Sequence, residues 1–323
     1  MGEQHRTVEP DAPFLAVHAN SSSVSAPSAG ACALDLRGGA TVGAVLEEIS
    51  AALALAGIPD AKVEARDIVA AVVDMPRFWP SANRDEILED GDVVRACSAA
   101  RKRSAGAPFA YAVGRAAFRH LTLDVDERVL IPRQETETLV DAVLECAGAG
   151  GGVALDVGTG SGAIALALAM EGHFDLVIGT DVSLGALTVA RANGERLAPA
   201  LRAPVQFRSG SLLAPVRDVR ARVLVANPPY IAHEEAASLP SSVRDWEPVL
   251  ALFSGASGMA ATADIIRGAP AVLECGGLLA LEVDSRRATM AADLALADGR
   301  YRDVIVRHDL AGRERILLAR RAE

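Results

Sequence analysis

Apolar runs that alternate with helix-like segments after residue 152 constrain the fold of this sequence more than any other feature. The early runs show no polar alternation, which is typical of parallel strands that helices cover on both faces. The loop through Gly312 is too short for a parallel crossover, so the last two strands are predicted to be antiparallel. The pattern therefore predicts a mostly parallel, doubly wound α/β sheet with an antiparallel final hairpin. The predicted strands are 153–157, 176–181, 205–209, 222–226, 277–283, 302–308 and 314–319.

The sequence before this sheet divides into further parts. Residues 1 to about 40 are rich in Ser, Ala, Pro and Gly and lack periodicity, which predicts a disordered extension. Residues 41–112 show helical periodicity and predict a small helical domain. Residues 113–130 are predicted to form a hairpin linker at the start of a domain that spans 113–323.

The helical domain carries two specific predictions. Its first helix begins after Thr41, a residue type that caps helices. The apolar face of this helix consists of Val45, Leu46, Ile49 and Leu53. A third helix is predicted from about Asn83 to Arg103, with Ile87, Val94 and Cys97 buried.

Composition argues against several classes of function. The formal net charge is -10, and the phosphates of a nucleic acid repel so acidic a protein. The cysteines are scattered, without the Cys and His spacing of a zinc site, so no metal is expected. No apolar run reaches membrane-spanning length, and the N-terminus lacks the apolar core of a signal peptide. We expect a cytoplasmic monomer that binds neither a membrane nor a nucleic acid directly.

A glycine-rich loop follows the first strand of the predicted sheet. Its residues are Asp156, Gly158, Thr159, Gly160, Ser161 and Gly162. Glycines let the backbone approach a ligand closely, and the next helix offers unpaired N–H groups to an anion. Asp181 ends the second strand, where a carboxylate can accept hydrogen bonds from ribose hydroxyls. The loop predicts a cofactor that contains a nucleoside.

Two cofactors fit this loop. Its glycine spacing also satisfies the looser fingerprint of nicotinamide dinucleotides, so an oxidoreductase stays open as an alternative. Asp156 favours S-adenosylmethionine, because a buried acid before the glycines suits a cationic ligand better than a pyrophosphate.

A tetrapeptide follows the fourth predicted strand, and its residues are Asn227, Pro228, Pro229 and Tyr230. Ligands bind beyond the carboxyl ends of parallel strands, so the tetrapeptide is predicted to lie beside the glycine loop. An amide nitrogen is a weak nucleophile because its lone pair is delocalised into the carbonyl. The Asn227 side-chain oxygen and the Pro228 carbonyl can each accept one N–H bond and so localise that lone pair. The prolines fix both acceptors, and Tyr230 offers a flat face to a planar substrate group.

With these motifs the chain resembles the peptide chain release factor glutamine methyltransferases, the HemK/PrmC family. The resemblance spans about residue 41 to the end of the sequence. The matching stretches are Val129–Arg133 with Glu135–Glu137, Asp156–Leu168, Asn227–Ile231, Trp246–Pro248 with Ala251–Leu252, and Asp309–Arg315. The resemblance implies a Rossmann-like class I methyltransferase. It implies transfer of a methyl group from S-adenosylmethionine to the side-chain nitrogen, N5, of the Gly-Gly-Gln glutamine in class I release factors.

The resemblance also implies which residues hold each ligand. The methyl donor is expected against Asp156, the loop Gly158–Gly162, Asp181 and Asn227, with Ser211 as a further candidate near the adenine. The substrate glutamine is expected at Asn227–Tyr230. The helical domain is expected to help hold the protein substrate.

The sequence departs from the family at three places. Gln134 stands where the family usually has Pro. Gly210 and Ser211 replace an acid and a bulky residue, which puts the adenine contact in doubt. Asp284 replaces the Gly of a Glu-Ile-Gly stretch, and it is expected to reshape the loop after the fifth strand.

Three other functions stay open on the sequence alone. Adenine N6 methyltransferases of nucleic acids also use Asn-Pro-Pro-Tyr, because an exocyclic amino group poses the same lone-pair problem. Such an enzyme needs a basic surface and has to extract its base from the helix. A glutamine of a ribosomal protein is a second target. A non-catalytic cofactor-binding module is the third alternative, and the intact tetrapeptide argues against it.

Overall fold

The structure is a computed structural model that describes residues 39–323, so the predicted extension lies almost wholly outside the described residues. Five helices come first: α1 Val42–Leu55, α2 Ala61–Val72, α3 Trp79–Ala82, α4 Asp90–Ser104 and α5 Phe109–Val113. Thr41 caps α1 as predicted, and its Oγ1 accepts a hydrogen bond from the Ala44 N–H at 3.2 Å. The predicted apolar face of α1 is fully buried against α2 and α4.

The prediction for the third helix is wrong in its start and in two buried residues. Helix α4 begins at Asp90, whose charge is favourable in a first helical turn. Ile87 lies in the loop before α4 and is 69% exposed. Val94 is 49% exposed, because it is rotated by about 100° from the buried Val93. Cys97 is buried as predicted.

A two-stranded hairpin, β1 Arg115–Phe118 and β2 Leu121–Asp124, follows the helices and pairs antiparallel, as predicted. Asn193 fastens it to the second part of the chain. The Asn193 Oδ1 accepts from the Asp124 N–H at 2.8 Å, and its Nδ2 donates to the Asp124 carbonyl at 3.0 Å. The hairpin therefore has a defined position beside the large sheet.

The large sheet has the strand order β5-β4-β3-β6-β7-β9-β8. Strands β3 to β7 run parallel, and β9 runs antiparallel to β7 and β8, which confirms the predicted fold class. The strands are β3 Val153–Val157, β4 Leu176–Asp181, β5 Val205–Ser209, β6 Ala221–Ala226, β7 Leu273–Glu282, β8 Tyr301–His308 and β9 Glu314–Arg321.

Helices cover both faces of this sheet. The covering helices are α6 Gln134–Ala147, α7 Ala163–Glu171, α8 Leu184–Leu197, α11 Ala260–Gly268 and α12 Ala288–Asp298, and two short helices, α9 Ser241–Arg244 and α10 Val249–Leu252, follow the tetrapeptide. Side chains alternate along each strand, so Val223 and Val225 pack with α6 to α8 while Leu224 packs with α11 and α12. Short 3-10 turns span Ala198–Ala200, Ala214–Val216, His233–Ser238 and Ala269–Ala271.

Within residues 39–323, no helix has the length and apolar character needed to cross a membrane. The parallel strands β3, β4 and β6 end side by side at one edge of the sheet. This edge brings together the glycine loop after β3, Asp181 at the end of β4 and the tetrapeptide after β6.

Candidate active site

The loop between β3 and α7 is held open by its glycines. Gly158, Gly160 and Gly162 have φ angles of +79°, +54° and +85°, a region that side-chain-bearing residues rarely adopt. A Cβ atom at Gly158 or Gly160 would meet no other atom within 4 Å, so the space above the loop is free for a ligand. Gly162 instead packs against Leu166 and Phe207, and it directly precedes α7.

Asp156 lies beneath this loop and is completely buried. Its Oδ2 accepts hydrogen bonds from the Thr159 hydroxyl at 2.6 Å and from the Ala165 N–H at 3.0 Å. Its Oδ1 has no partner among the described residues. Burial raises the pKa of Asp156 to about 7, because the charged form is poorly solvated. Asp156 therefore shapes the loop from below, and it does not line the cleft.

Asp181 connects the glycine loop to the backbone that follows β4, before α8. Its Oδ2 accepts from the Gly160 N–H at 3.0 Å, and its Oδ1 accepts from the Ser183 N–H at 2.8 Å. The carboxylate is partly exposed and forms part of the cleft wall. Lone pairs that remain on both oxygens are available to a bound ligand.

Two cavities adjoin at the carboxyl edge of the sheet. The first, about 180 Å³, contains Gly158, Gly160, Asp181, Ser211 and Asn227 in its wall. The second, about 170 Å³, is lined by Leu130, Arg133, Asn227, Tyr230, Ile231, Val243, Ala251 and Leu252. Asn227 borders both, so a group held in one can meet a group held in the other there. A larger cavity of about 510 Å³ lies near the start of β5, at the opposite edge of the sheet.

The tetrapeptide has each of its side chains in a different setting. The Asn227 Nδ2 donates to the Thr136 hydroxyl at 3.0 Å. Pro228 is buried, and Pro229 lines the first cavity. Tyr230 lines the second cavity, and burial raises its pKa to about 12, so its phenol is neutral at pH 7. These positions are compatible with the predicted donor side and substrate side of Asn227.

The segment after the tetrapeptide is clamped by an ion-pair network that includes Asp284. Asp284 accepts from Arg286 at 2.8 Å and also pairs with Arg287. Arg287 donates to Glu235 at 2.9 Å and to the Ser257 carbonyl at 2.7 Å. Asp284 therefore fastens the loop after β7 to the segment that follows the tetrapeptide.

The cleft contains some predicted residues and omits others. Gly158, Gly160, Asp181, Ser211 and Asn227 line it, whereas Asp156, Thr159, Ser161 and Gly162 are buried and do not line it. Sequence reasoning gave no site role to the wall residues Pro248, Leu250 and Ala251. It also gave none to Thr136 or Glu282. Pro248, Ala251 and Thr136 belong to stretches that match the family, which is the signal that could have found them.

Comparison with known proteins agrees with this arrangement. Residues 44–114 match the family described as the PrmC N-terminal domain, and residues 118–241 match the Methyltransferase small domain. The release factor glutamine methyltransferase of Moorella thermoacetica is 40% identical over 295 residues, which cover 88% of this chain and 99% of that relative. The chain belongs to the release factor glutamine methyltransferase family. The enzymes of that name from Cereibacter sphaeroides and Mycolicibacterium smegmatis are 38% and 35% identical, covering 83% and 85% of this chain and 94% and 96% of theirs.

A solved structure supports the fold independently. The hMettl16 catalytic domain, solved in complex with the MAT2A 3′UTR hairpin 6, is similar with a TM-score of 0.50 and 16% identity. The match covers 74% of this chain and 84% of that one. At this identity the similarity concerns the fold alone, which is that of a methyltransferase domain.

The cofactor of this family member is S-adenosylmethionine, and the residues present fit it. The open cradle above Gly158 and Gly160 can receive the amino-acid part of the donor at the N-terminus of α7. Asp181 has acceptor capacity left for ribose hydroxyls. The unpartnered Oδ1 of Asp156 leaves a buried polar atom beneath this cradle.

Proposed function

We propose that this chain methylates the side-chain amide nitrogen, N5, of the glutamine in the Gly-Gly-Gln motif of class I release factors. S-adenosylmethionine supplies the methyl group as an activated sulfonium. The observation that carries the proposal is the position of Asn227, which borders the cofactor cleft and the adjoining second cavity. Family membership supports release factors as the substrate class.

The chain's own groups can make the amide nitrogen nucleophilic. The Asn227 Oδ1 and the Pro228 carbonyl each accept one N–H bond of the substrate NH2 group. Two accepted hydrogen bonds favour a geometry in which the nitrogen lone pair is no longer shared with the carbonyl. With the donor bound, a C–N bond would form as the methyl–sulfur bond breaks, the sulfur would keep the electron pair of that bond, and the extra proton of the nitrogen would pass to water. Tyr230, neutral at pH 7, packs its ring against the planar substrate group.

The remaining residues position the two substrates. Gly158 to Gly162 and Asp181 hold the donor, Ser211 lies on the same wall, and Asp156 fixes the loop. The helical domain at 41–112 contacts the protein substrate, and the methyltransferase domain at 113–323 carries the chemistry. The protein acts as a monomer on a protein substrate without contacting nucleic acid directly, in keeping with a net charge of -10.

Mass spectrometry of purified substrates tests the proposed reaction. A class I release factor incubated with the enzyme and S-adenosylmethionine should gain one methyl group on the Gly-Gly-Gln glutamine. Methylation of a ribosomal protein or of adenine, with the release factor unchanged, would replace this substrate by the corresponding alternative.

Asn227→Ala tests the proposed mechanism. Loss of one preorganised acceptor should lower single-turnover rates by about 10²- to 10³-fold, while cofactor affinity changes little. Asn83→Ala is a matched control, because the Asn83 side chain donates to the Trp79 carbonyl in the helical region, away from both cavities. Near-normal turnover in Asn227→Ala would show that the tetrapeptide is structural.

A further inference from the structure

A buried hydrogen-bond chain extends from Asn227 through two residues outside the tetrapeptide. The Asn227 Nδ2 donates to the Thr136 Oγ1 at 3.0 Å, and the Thr136 hydroxyl donates to the Glu282 Oε2 at 2.7 Å. Thr136 is 4% exposed and Glu282 is 2% exposed, so water has little access to either group. The chain joins the first turn of α6 to the ends of β6 and β7.

The direction of this chain follows from the number of protons available. An ionised carboxylate only accepts hydrogen bonds, so Glu282 requires the single proton of the Thr136 hydroxyl. Thr136 can then only accept from its other neighbour, and Asn227 must present its NH2 group to it. The two ends of an asparagine amide are nearly identical in shape, so hydrogen bonding decides which way it points.

The opposite end of the Asn227 amide is consequently an acceptor. The Asn227 Oδ1 accepts no hydrogen bond from residues 39–323, and it is not among the buried polar atoms that lack a partner. It is therefore accessible to a ligand. In the reversed orientation, Asn227 would present N–H groups to the substrate NH2 group. Donors cannot accept the substrate N–H bonds, so this orientation would not activate the substrate nitrogen.

We propose that Thr136 and Glu282 are positioning residues that fix the Asn227 amide with its oxygen towards the substrate nitrogen. The inference rests on the proposed function, since it gives the acceptor role of Asn227 a structural cause. Neither residue needs to touch the substrate or the cofactor. Both act through the orientation of Asn227.

The ionisation of Glu282 controls the direction of the chain. Burial raises the pKa of Glu282 to about 6, while Thr136, Arg315 and Arg133 act to lower the pKa and Glu135 acts to raise it. A protonated Glu282 can donate to Thr136, which frees the Thr136 proton to turn towards Asn227 and permits the reversed amide. The kcat should therefore fall as the pH decreases through this pKa, whereas the affinity for the cofactor should change much less over the same pH range.

Substitutions of Thr136 test the inference. Thr136→Val keeps the shape but removes the hydroxyl, and kcat should fall by roughly 10- to 100-fold with little change in KM for S-adenosylmethionine. Thr136→Ser restores the hydroxyl and should regain most of the lost turnover. Thr138→Val is the matched control, because the Thr138 hydroxyl makes no hydrogen bond to a described residue of this structure.

A double-mutant comparison separates positioning from structural support. In an Asn227→Ala background, Thr136→Val should lower kcat by less than about twofold, because the residue it orients is gone. If the kcat losses of Thr136→Val and Asn227→Ala multiply fully in the double variant, Thr136 acts independently of Asn227, and the inference would be overturned. An active Thr136→Val beside an inactive Asn227→Ala would overturn it too, while leaving the proposed function intact. Activity in Asn227→Ala would instead reject the proposed mechanism itself.

Glu282→Gln provides a second variant should Thr136→Val fail to fold. Its amide can either donate to or accept from Thr136, so both directions of the chain become available at every pH. The kcat at pH 8 should fall, and the decrease of kcat towards acidic pH that reports Glu282 should disappear. A Glu282→Gln enzyme with wild-type kcat and a wild-type pH profile would overturn the inference.

Discussion

Removal of the Asp181 carboxylate tests directly how the donor is held. Each carboxylate oxygen already accepts one backbone N–H, from Gly160 and from Ser183, which leaves about one acceptor site on each for a ribose hydroxyl. Hydrogen bonds to a charged group contribute about 1.5–3 kcal/mol. Asp181→Ala should therefore weaken S-adenosylmethionine binding by roughly 10- to 150-fold. The substitution also frees the Gly160 N–H, so part of this loss comes from the glycine loop.

Isothermal titration with S-adenosylmethionine measures the effect, and Asp175→Ala is its control. The Asp175 Oδ2 accepts from the Gly152 N–H at 2.7 Å, so this variant loses the same kind of bond at the opposite edge of the sheet. We expect Asp175→Ala to bind the donor with wild-type affinity. An Asp181→Ala protein with a Kd within twofold of wild type would remove Asp181 from the site. Equal losses in both variants would point to general loosening of the sheet instead.

Other predictions concern stability and cofactor choice. Because burial raises the pKa of Asp156 from its ordinary value of 3.8 to about 7, its contribution to stability is lost as pH rises through 7. The free energy of unfolding should lose roughly 2 kcal/mol from this group between pH 5.5 and 8, and Asp156→Asn should remove that dependence in denaturant titrations. Gly258→Ala should lower the free energy of unfolding by about 1–3 kcal/mol and lower turnover, because the added Cβ would collide with the Tyr230 carbonyl. Gly255→Ala is the control for the melting temperature, because Gly255 also has a positive φ, +68°, but its added Cβ would make only ordinary contacts. Calorimetry should show no binding of nicotinamide dinucleotides, and deletion of residues 1–38 should leave melting temperature and activity nearly unchanged.

Strand positions could be predicted because buried parallel strands are continuous apolar runs. The predicted strands 153–157, 176–181 and 205–209 agree with β3, β4 and β5 at both ends. Strand β7 begins at Leu273, earlier than the predicted residue 277. The prediction missed this start because Glu274 is exposed and the first residues pair with β6 through an irregular register near Ala221. Polar residues at an irregular strand start carry no apolar signal.

Local motifs could also be predicted, whereas contacts between distant segments could not. Asp181 and Gly158 line the cleft as expected, because both follow from the rule that ligands bind beyond strand ends. The bond between Thr136 and Glu282 joins residues 146 apart in sequence, and no local pattern pairs them. Its existence depends on how α6 packs against β7, which a single sequence does not specify.

The hydrogen-bond chain that ends at Asn227 makes methyl transfer depend on a helix that precedes the glycine loop in the sequence. Gly158, Asp181 and Asn227 all lie after residue 150, whereas Thr136 belongs to α6. A polypeptide without α6 would carry both sequence motifs and yet leave the Asn227 amide free to adopt either orientation. By the proposed mechanism, methyl transfer therefore requires α6 to be packed against β7. Motif content alone does not decide whether a relative of this sequence is an active enzyme.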